Sequence, residues 1–216
     1  MSSNRSPSRL APFVAVFAFA LGLAPGLARA GDPGPHYQRS YDLEATGSYN
    51  EALIALERVD AAERSAYFYR LRRAWLLYLG GRHWDSMGEY RRAIKLAPLS
   101  VEAHLGLSLP QLALRLWLDA KRSCEEALRL APKSYVATSR LAYINYNLGR
   151  YADAERLYHE LLLAYPADVE MRVGLAWSLF KQNKLVRAMA EFGRVQQIAP
   201  NHPYSQPPTP TASKPR

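Results

Sequence analysis

Cysteine is all but missing from this sequence: Cys124 is the only one in 216 residues. No cysteine pair exists for a redox motif or a cysteine-built metal site. Histidine is sparse as well. His36, His83, His104, His159 and His202 share no i, i+3 or i, i+4 relation, so no helix carries the paired-ligand spacing of a metal centre. His-Glu-x-x-His, Gly-x-Ser-x-Gly and a glycine-rich phosphate loop are all absent, which removes the hydrolase and nucleotide-binding signatures they carry. The chain therefore reads as non-enzymatic, with no catalytic residue, metal or cofactor assigned.

A membrane-length apolar run is lacking too. The apolar stretch over residues 10–23 is bracketed by Pro12 and Pro25 and is shorter than the roughly 20 residues of a span. Arg5 and Arg9 precede it, Pro25 and Gly26 follow it, and Ala28-Arg29-Ala30 supplies a small-x-small cleavage site. This is the pattern of a secretory signal. The expectation is a cleavable signal peptide over residues 1–30, no lipobox, a linker over 31–35, and a periplasmic or secreted protein with no membrane span after cleavage. Losing Arg5, Arg9 and Arg29 lowers the formal net charge from +9 to +6. The remaining basic residues are interspersed with acids, which together with export reads as a solvated surface and not a nucleic-acid site.

What is abundant is repetition. Pro98, Pro132, Pro166 and Pro200 stand 34 residues apart and close the phrases "IKLAP", "LRLAP", "LLAYP" and "QQIAP". The same period links Gly47, Gly81, Arg115, Gly149 and Asn183 at a turn. It also links two columns of small residues: Ser40, Ala74, Ser108, Ala142 and Ala176 in a first helix, and Ala52, Ser86, Ala120, Ala154 and Ala188 in a second. Short side chains are what two helices need where they cross closely. Larger residues, Leu56, Tyr90, Cys124, Tyr158 and Phe192, fill the space around the crossing, so Cys124 reads as a buried, inert thiol. Glycine at the joint permits the left-handed conformation that closes a helix, and proline stops the second helix.

A 34-residue helix–turn–helix unit with these columns resembles the tetratricopeptide repeat (TPR). Five units fit, near 33–66, 67–100, 101–134, 135–168 and 169–202, forming a solenoid over 36–202. The resemblance implies an all-α fold, a right-handed α-solenoid whose first helices line a concave face. Three departures stand out: Arg64 where unit one should end in proline, Arg115 in place of the turn glycine, and Pro110 inside a first helix. The first unit is expected to begin its helix at about His36 after an extended lead-in. Pro110 is read as a local irregularity held by its neighbours, with Gly106 four residues back to ease it. Residues 203–216 are proline-rich and expected to be disordered. No polar capping helix follows the last unit, so Leu185, Val186, Met189, Phe192 and Val195 are expected to leave an apolar side uncovered, open to self-association.

On each first helix the i, i+4, i+7 positions share one face. They read Tyr37/Tyr41/Glu44, Leu71/Trp75/Tyr78, Leu105/Leu109/Leu112, Ser139/Tyr143/Tyr146 and Val173/Trp177/Phe180. The candidate ligand groove is therefore Tyr37, Tyr41, Leu71, Trp75, Tyr78, Leu109, Leu112, Tyr143, Tyr146, Trp177 and Phe180. Two readings stay open: the rings pack between neighbouring first helices, or they form an exposed binding surface. Lysine and asparagine, with which some repeats of the family grip a C-terminal carboxylate, are almost absent from this face. The functional expectation is an exported adaptor or scaffold that binds a protein or peptide segment in cell-envelope assembly or secretion. The alternative is a carbohydrate-binding role in exopolysaccharide or cell-wall assembly.

Overall fold

The structure, a computed structural model, describes residues 33–205. The expected signal peptide, residues 31 and 32 of the linker, and residues 206–216 of the tail lie outside the described residues. Ten α-helices and one 3₁₀ turn make up the described chain, without a strand among the described residues. They pair as α1 (Gly34–Ala45) with α2 (Tyr49–Leu56), α3 (Tyr67–Leu79) with α4 (His83–Leu96), and α5 (Val101–Ala113) with α6 (Trp117–Leu130). The last two pairs are α7 (Tyr135–Asn147) with α8 (Tyr151–Ala164) and α9 (Val169–Lys181) with α10 (Leu185–Ile198). Each second helix also packs on the next first helix, and the pairs stack as a solenoid. First helices touch successive first helices, α3 with α5, α5 with α7 and α7 with α9. The second helices make no comparable contacts with one another, which puts the first helices on the inside of the curve.

The columns explain this packing. All ten residues of the two small columns are fully buried. In the second unit the crossing is a direct contact, the Ser86 hydroxyl donating to the Ala74 carbonyl at 2.8 Å. The five larger residues, Leu56, Tyr90, Cys124, Tyr158 and Phe192, are buried around these crossings. Burial pushes the Cys124 thiol up to about 11, so it is protonated and inert at neutral pH.

Every position of the turn column has positive φ: Gly47 (75°), Gly81 (76°), Arg115 (56°), Gly149 (75°) and Asn183 (60°). Each sits in the same pair of closing bonds. In the third unit Leu116 N–H reaches Gln111 O at 2.8 Å and Arg115 N–H reaches Leu112 O at 3.0 Å, a Schellman closure. Arg115 is exposed and adopts a conformation that strains a residue with a Cβ. Arg115→Gly should therefore stabilise the protein by about 0.5–1 kcal/mol, the strain relieved outweighing the added freedom of the unfolded chain. Urea denaturation measures the difference, and an unchanged or lower midpoint would contradict it.

Elsewhere the details differ from expectation. α1 starts at Gly34, two residues early, because Pro35 occupies the first turn where its missing N–H costs nothing. α2 stops at Leu56, six residues shorter than α4, and a 3₁₀ turn (Glu63–Ser65) completes the unit. Arg64 there donates from Nε to the Val59 carbonyl at 2.7 Å, so it closes the segment by a hydrogen bond where the other units use proline. α5 runs unbroken through the buried Pro110. Gly106 has a packing role that the sequence reading missed: an added Cβ would stand 2.2 Å from Cε1 of Tyr90. On α10, Phe192 and Val195 are buried, which corrects the expectation for those two. Leu185, Val186, Met189 and Ile198 are exposed. Of the expected tail, Ser205 is buried, and at the end of the fifth unit the His202 ring meets Glu170 at 2.9 Å.

Candidate functional site on the first helices

First helices α5, α7 and α9 begin on side-chain caps that recur at the same 34-residue period. Ser100, Ser134 and Asp168 accept from the N–H groups of Ala103, Ala137 and Met171 at 3.1, 3.3 and 3.1 Å. Such caps satisfy an otherwise unpaired N–H and set the start of each helix. Rings from the preceding unit tie onto two of them: Tyr67 shares a 2.7 Å hydrogen bond with Ser100, and Tyr135 bonds Asp168. Neighbouring first helices are thereby held in register, which aligns the side chains of their inner face.

The structure places the eleven candidate residues unequally. Tyr37 is buried, its ring edge-on to Phe68 and its hydroxyl donating to Glu63 at 3.3 Å. It lines no open groove, because the 3₁₀ segment and the start of α3 cover it. Tyr41 is exposed, and the other nine are half-buried. Leu71, Leu112, Tyr146, Trp177 and Phe180 each rest against a buried cluster. Trp177 lies edge-on to Phe180 and to the fully buried Phe192, and its Nε1 is buried with no acceptor among the described residues. These side chains both pack between helices and keep part of their surface outward. Burial raises the Tyr78 phenol and, with Tyr151 and Tyr143 nearby, pushes Tyr146 up to about 12; both are neutral donors at physiological pH.

Charge divides the face along its length. At the N-terminal end Glu44 receives Arg72 in an ion pair and the Trp75 indole N–H at 2.7 Å. Arg72 also donates from Nε to Ser40 at 3.0 Å, and its guanidinium lies 3.7 Å over the Tyr41 ring. This end is closed by its own residues. The centre, around Leu109, Leu112, Tyr143 and Tyr146, has no such ionic tie among the described residues.

Residues 139–203 match the profile of the tetratricopeptide repeat family. Over those residues the chain carries tetratricopeptide repeats. Solved structures agree on the fold. The crystal structure of MamA protein is 14% identical with TM-score 0.69, covering 77% of this chain and 91% of that one. MamA 41-end from Desulfovibrio magneticus is 16% identical with TM-score 0.72, covering 77% and 94%. A tetratricopeptide repeat protein from Parabacteroides merdae is 22% identical with TM-score 0.68, covering 79% of this chain and 66% of that chain. At these identities the likeness is one of fold alone. No curated protein matches the chain.

The TPR solenoid is a scaffold of protein interaction, and its family is generally non-enzymatic. Among the described residues no group of three His, Cys, Asp or Glu side chains is placed to hold a metal ion. No described helix is long and apolar enough to cross a membrane. Sequence reasoning missed one residue of the TPR face, Arg140 on α7. Its guanidinium donates to Leu105 O at 2.6 Å and Ser108 Oγ at 2.9 Å and has no carboxylate partner among the described residues. The signal was present in the repeat: Arg140 occupies the column of Arg72, but Leu112 occupies the column of Glu44.

Proposed function

We propose that this TPR protein is an exported, non-enzymatic adaptor that seats a protein or peptide segment along its first helices, in cell-envelope assembly or secretion. The observation that carries the reading is the half-exposed centre of the face. Leu109, Leu112, Tyr143 and Tyr146 present apolar and aromatic surface there, while the N-terminal end is tied up by Arg72, Glu44 and Trp75. Anchors of this kind offer large area with few rotatable bonds, and an extended or helical segment with apolar side chains suits them. The exposed Leu185, Val186, Met189 and Ile198 of α10 support self-association as a further contact.

The test starts with the mature chain beginning at Gly31, used to capture a partner from envelope extract. The captured segment is then titrated as a synthetic peptide against wild type and a Tyr78→Ala/Tyr146→Ala variant. Loss of such anchors should weaken binding by about 2 kcal/mol or more, roughly thirtyfold. Equal affinity in both proteins would remove the groove, and competition by polysaccharide would move the reading to a glycan ligand.

A further inference from the structure

Three arginines converge on one carboxylate in the second unit. The side chain of Glu89, on α4, is only 6% exposed. It accepts from Arg70 Nη1 at 3.1 Å, from Arg92 Nη1 at 2.6 Å and from Arg73 Nε at 3.4 Å. Arg73 also reaches Glu57, at the end of α2, at 3.4 Å, and so bridges α2 and α4 across α3. Arg70 and Arg73 lie one turn apart on α3, on the side away from Leu71, Trp75 and Tyr78. The cluster therefore sits in the furrow between two second helices, on the outer side of the solenoid and not on the face of the first helices.

One carboxylate does not saturate three guanidiniums. Each guanidinium carries five N–H donors; Arg70 and Arg92 use one each here, and Arg73 uses two. The rest meet no acceptor among the described residues. Arg58 beside Glu57, and Arg91 and Lys95 beside Arg92, are exposed and have no carboxylate partner among the described residues. Positive charge is in excess even with Glu57 counted.

The fifth unit carries the same framework without that excess. Arg172, Glu191 and Arg194 occupy the positions of Arg70, Glu89 and Arg92, and Glu191 accepts from both arginines. The buried Leu175 stands where Arg73 stands, and the Arg172 guanidinium is also held by the Pro166 carbonyl. Glu160, Gly193 and Gln197 stand at the positions of Arg58, Arg91 and Lys95. The recurring ion pair belongs to the packing. The third arginine and the unpaired cations around it are particular to the second unit.

We propose that Arg70, Arg73 and Arg92 form a binding site for a phosphate group, with Glu89 as the buried strut that fixes the three guanidiniums. A phosphate ester brings about two negative charges and three acceptor oxygens, which match the guanidiniums in number and their excess charge in sign. A carboxylate brings one charge and two oxygens. The site is separate from the groove and does not depend on it.

The test titrates the mature chain beginning at Gly31 with glucose 1-phosphate, following the arginine Nε–H resonances by NMR at constant ionic strength. Saturable shifts are expected at Arg70, Arg73 and Arg92, and none at Arg172 or Arg194. Acetate should produce no such shift. Arg92→Gln changes the most exposed of the three arginines, where an ion pair adds little stability. It should melt like wild type and bind about tenfold more weakly. Arg194→Gln, the same change in the fifth unit, should leave binding unaltered. Flotation with phosphatidylcholine vesicles that contain phosphatidic acid separates the sources of the group. Flotation that depends on Arg92 assigns a lipid headgroup, and glucose 1-phosphate binding without flotation assigns a soluble phosphate ester. No saturable shift at the three arginines would overturn the site. So would equal shifts with acetate, or equal losses in Arg92→Gln and Arg194→Gln, which would reduce the effect to overall charge. An Arg92→Gln variant that melts and binds like wild type would overturn it as well.

Discussion

Gly174→Ala should destabilise the protein by about 2–3 kcal/mol, opposite in sign to the usual effect of this change in a helix interior, where alanine is favoured by about 0.5–1 kcal/mol. Gly174 lies within α9, and its backbone needs no special conformation. The constraint is space. A Cβ there would stand 2.3 Å from Cζ of Tyr158, 2.5 Å from Cε1 and 2.7 Å from Cε2. Tyr158 is 4% exposed and enclosed by Ala142, Leu161, Leu175 and Ala176, so its ring has nowhere to move. Close-packed interiors resist even one added methyl. Urea denaturation measures the loss, and Tyr158→Leu in the Gly174→Ala background should recover part of it because the clash is then relieved. Additive losses in the double variant would show that the ring and the glycine do not share this contact.

Phe192→Ala carries the other large effect, about 3–5 kcal/mol at its own site, the range for emptying a buried aromatic position. Phe192 is 1% exposed and its ring meets Trp177 at 5.5 Å. Its place in the chain decides how the loss shows. α10 packs on α9 and on no earlier helix to a comparable extent, and a stacked array distributes stability between nearest neighbours. The terminal helix should open alone. Amides of α10 should lose hydrogen-exchange protection while those of α3 to α7 keep theirs. A uniform drop along the chain, or no drop in α10, would contradict this nearest-neighbour account.

The fold was legible because its signals are short-range and occur five times. The turn column predicted left-handed joints at its glycines, and the structure shows that conformation at all five positions, Arg115 and Asn183 included. The small columns predicted a close crossing of the two helices in every unit, and every member is fully buried. The caps at Ser100, Ser134 and Asp168 follow the same period and could have been read in advance, since each lies two residues beyond a unit-closing proline. The short α2 was less accessible. Nothing in the local spacing says that Arg64 closes the unit through Val59 where proline closes the others.

The candidate site was legible only as a face. Periodicity places Trp75, Tyr143 and Trp177 on one side of their helices, but it treats them alike. Tertiary contacts separate them: the Trp75 indole is held by Glu44 from the preceding unit, Trp177 leans on Phe192 from its own second helix, and Tyr143 meets Trp117. The spacing of 34, the columns and the turns belong to the sequence by itself, because hydrogen bonding within a helix and the need for small residues at a crossing act locally. Which rings are occupied, which glycine is there for space, and which arginine has an acid all depend on partners 15 to 32 residues away, as in Trp177 with Phe192, Tyr158 with Gly174 and Arg72 with Ser40. Those pairings exist only once helices and units pack together, and the packing leaves Arg140 with its guanidinium on Leu105 O and Ser108 Oγ and no carboxylate beside it among the described residues.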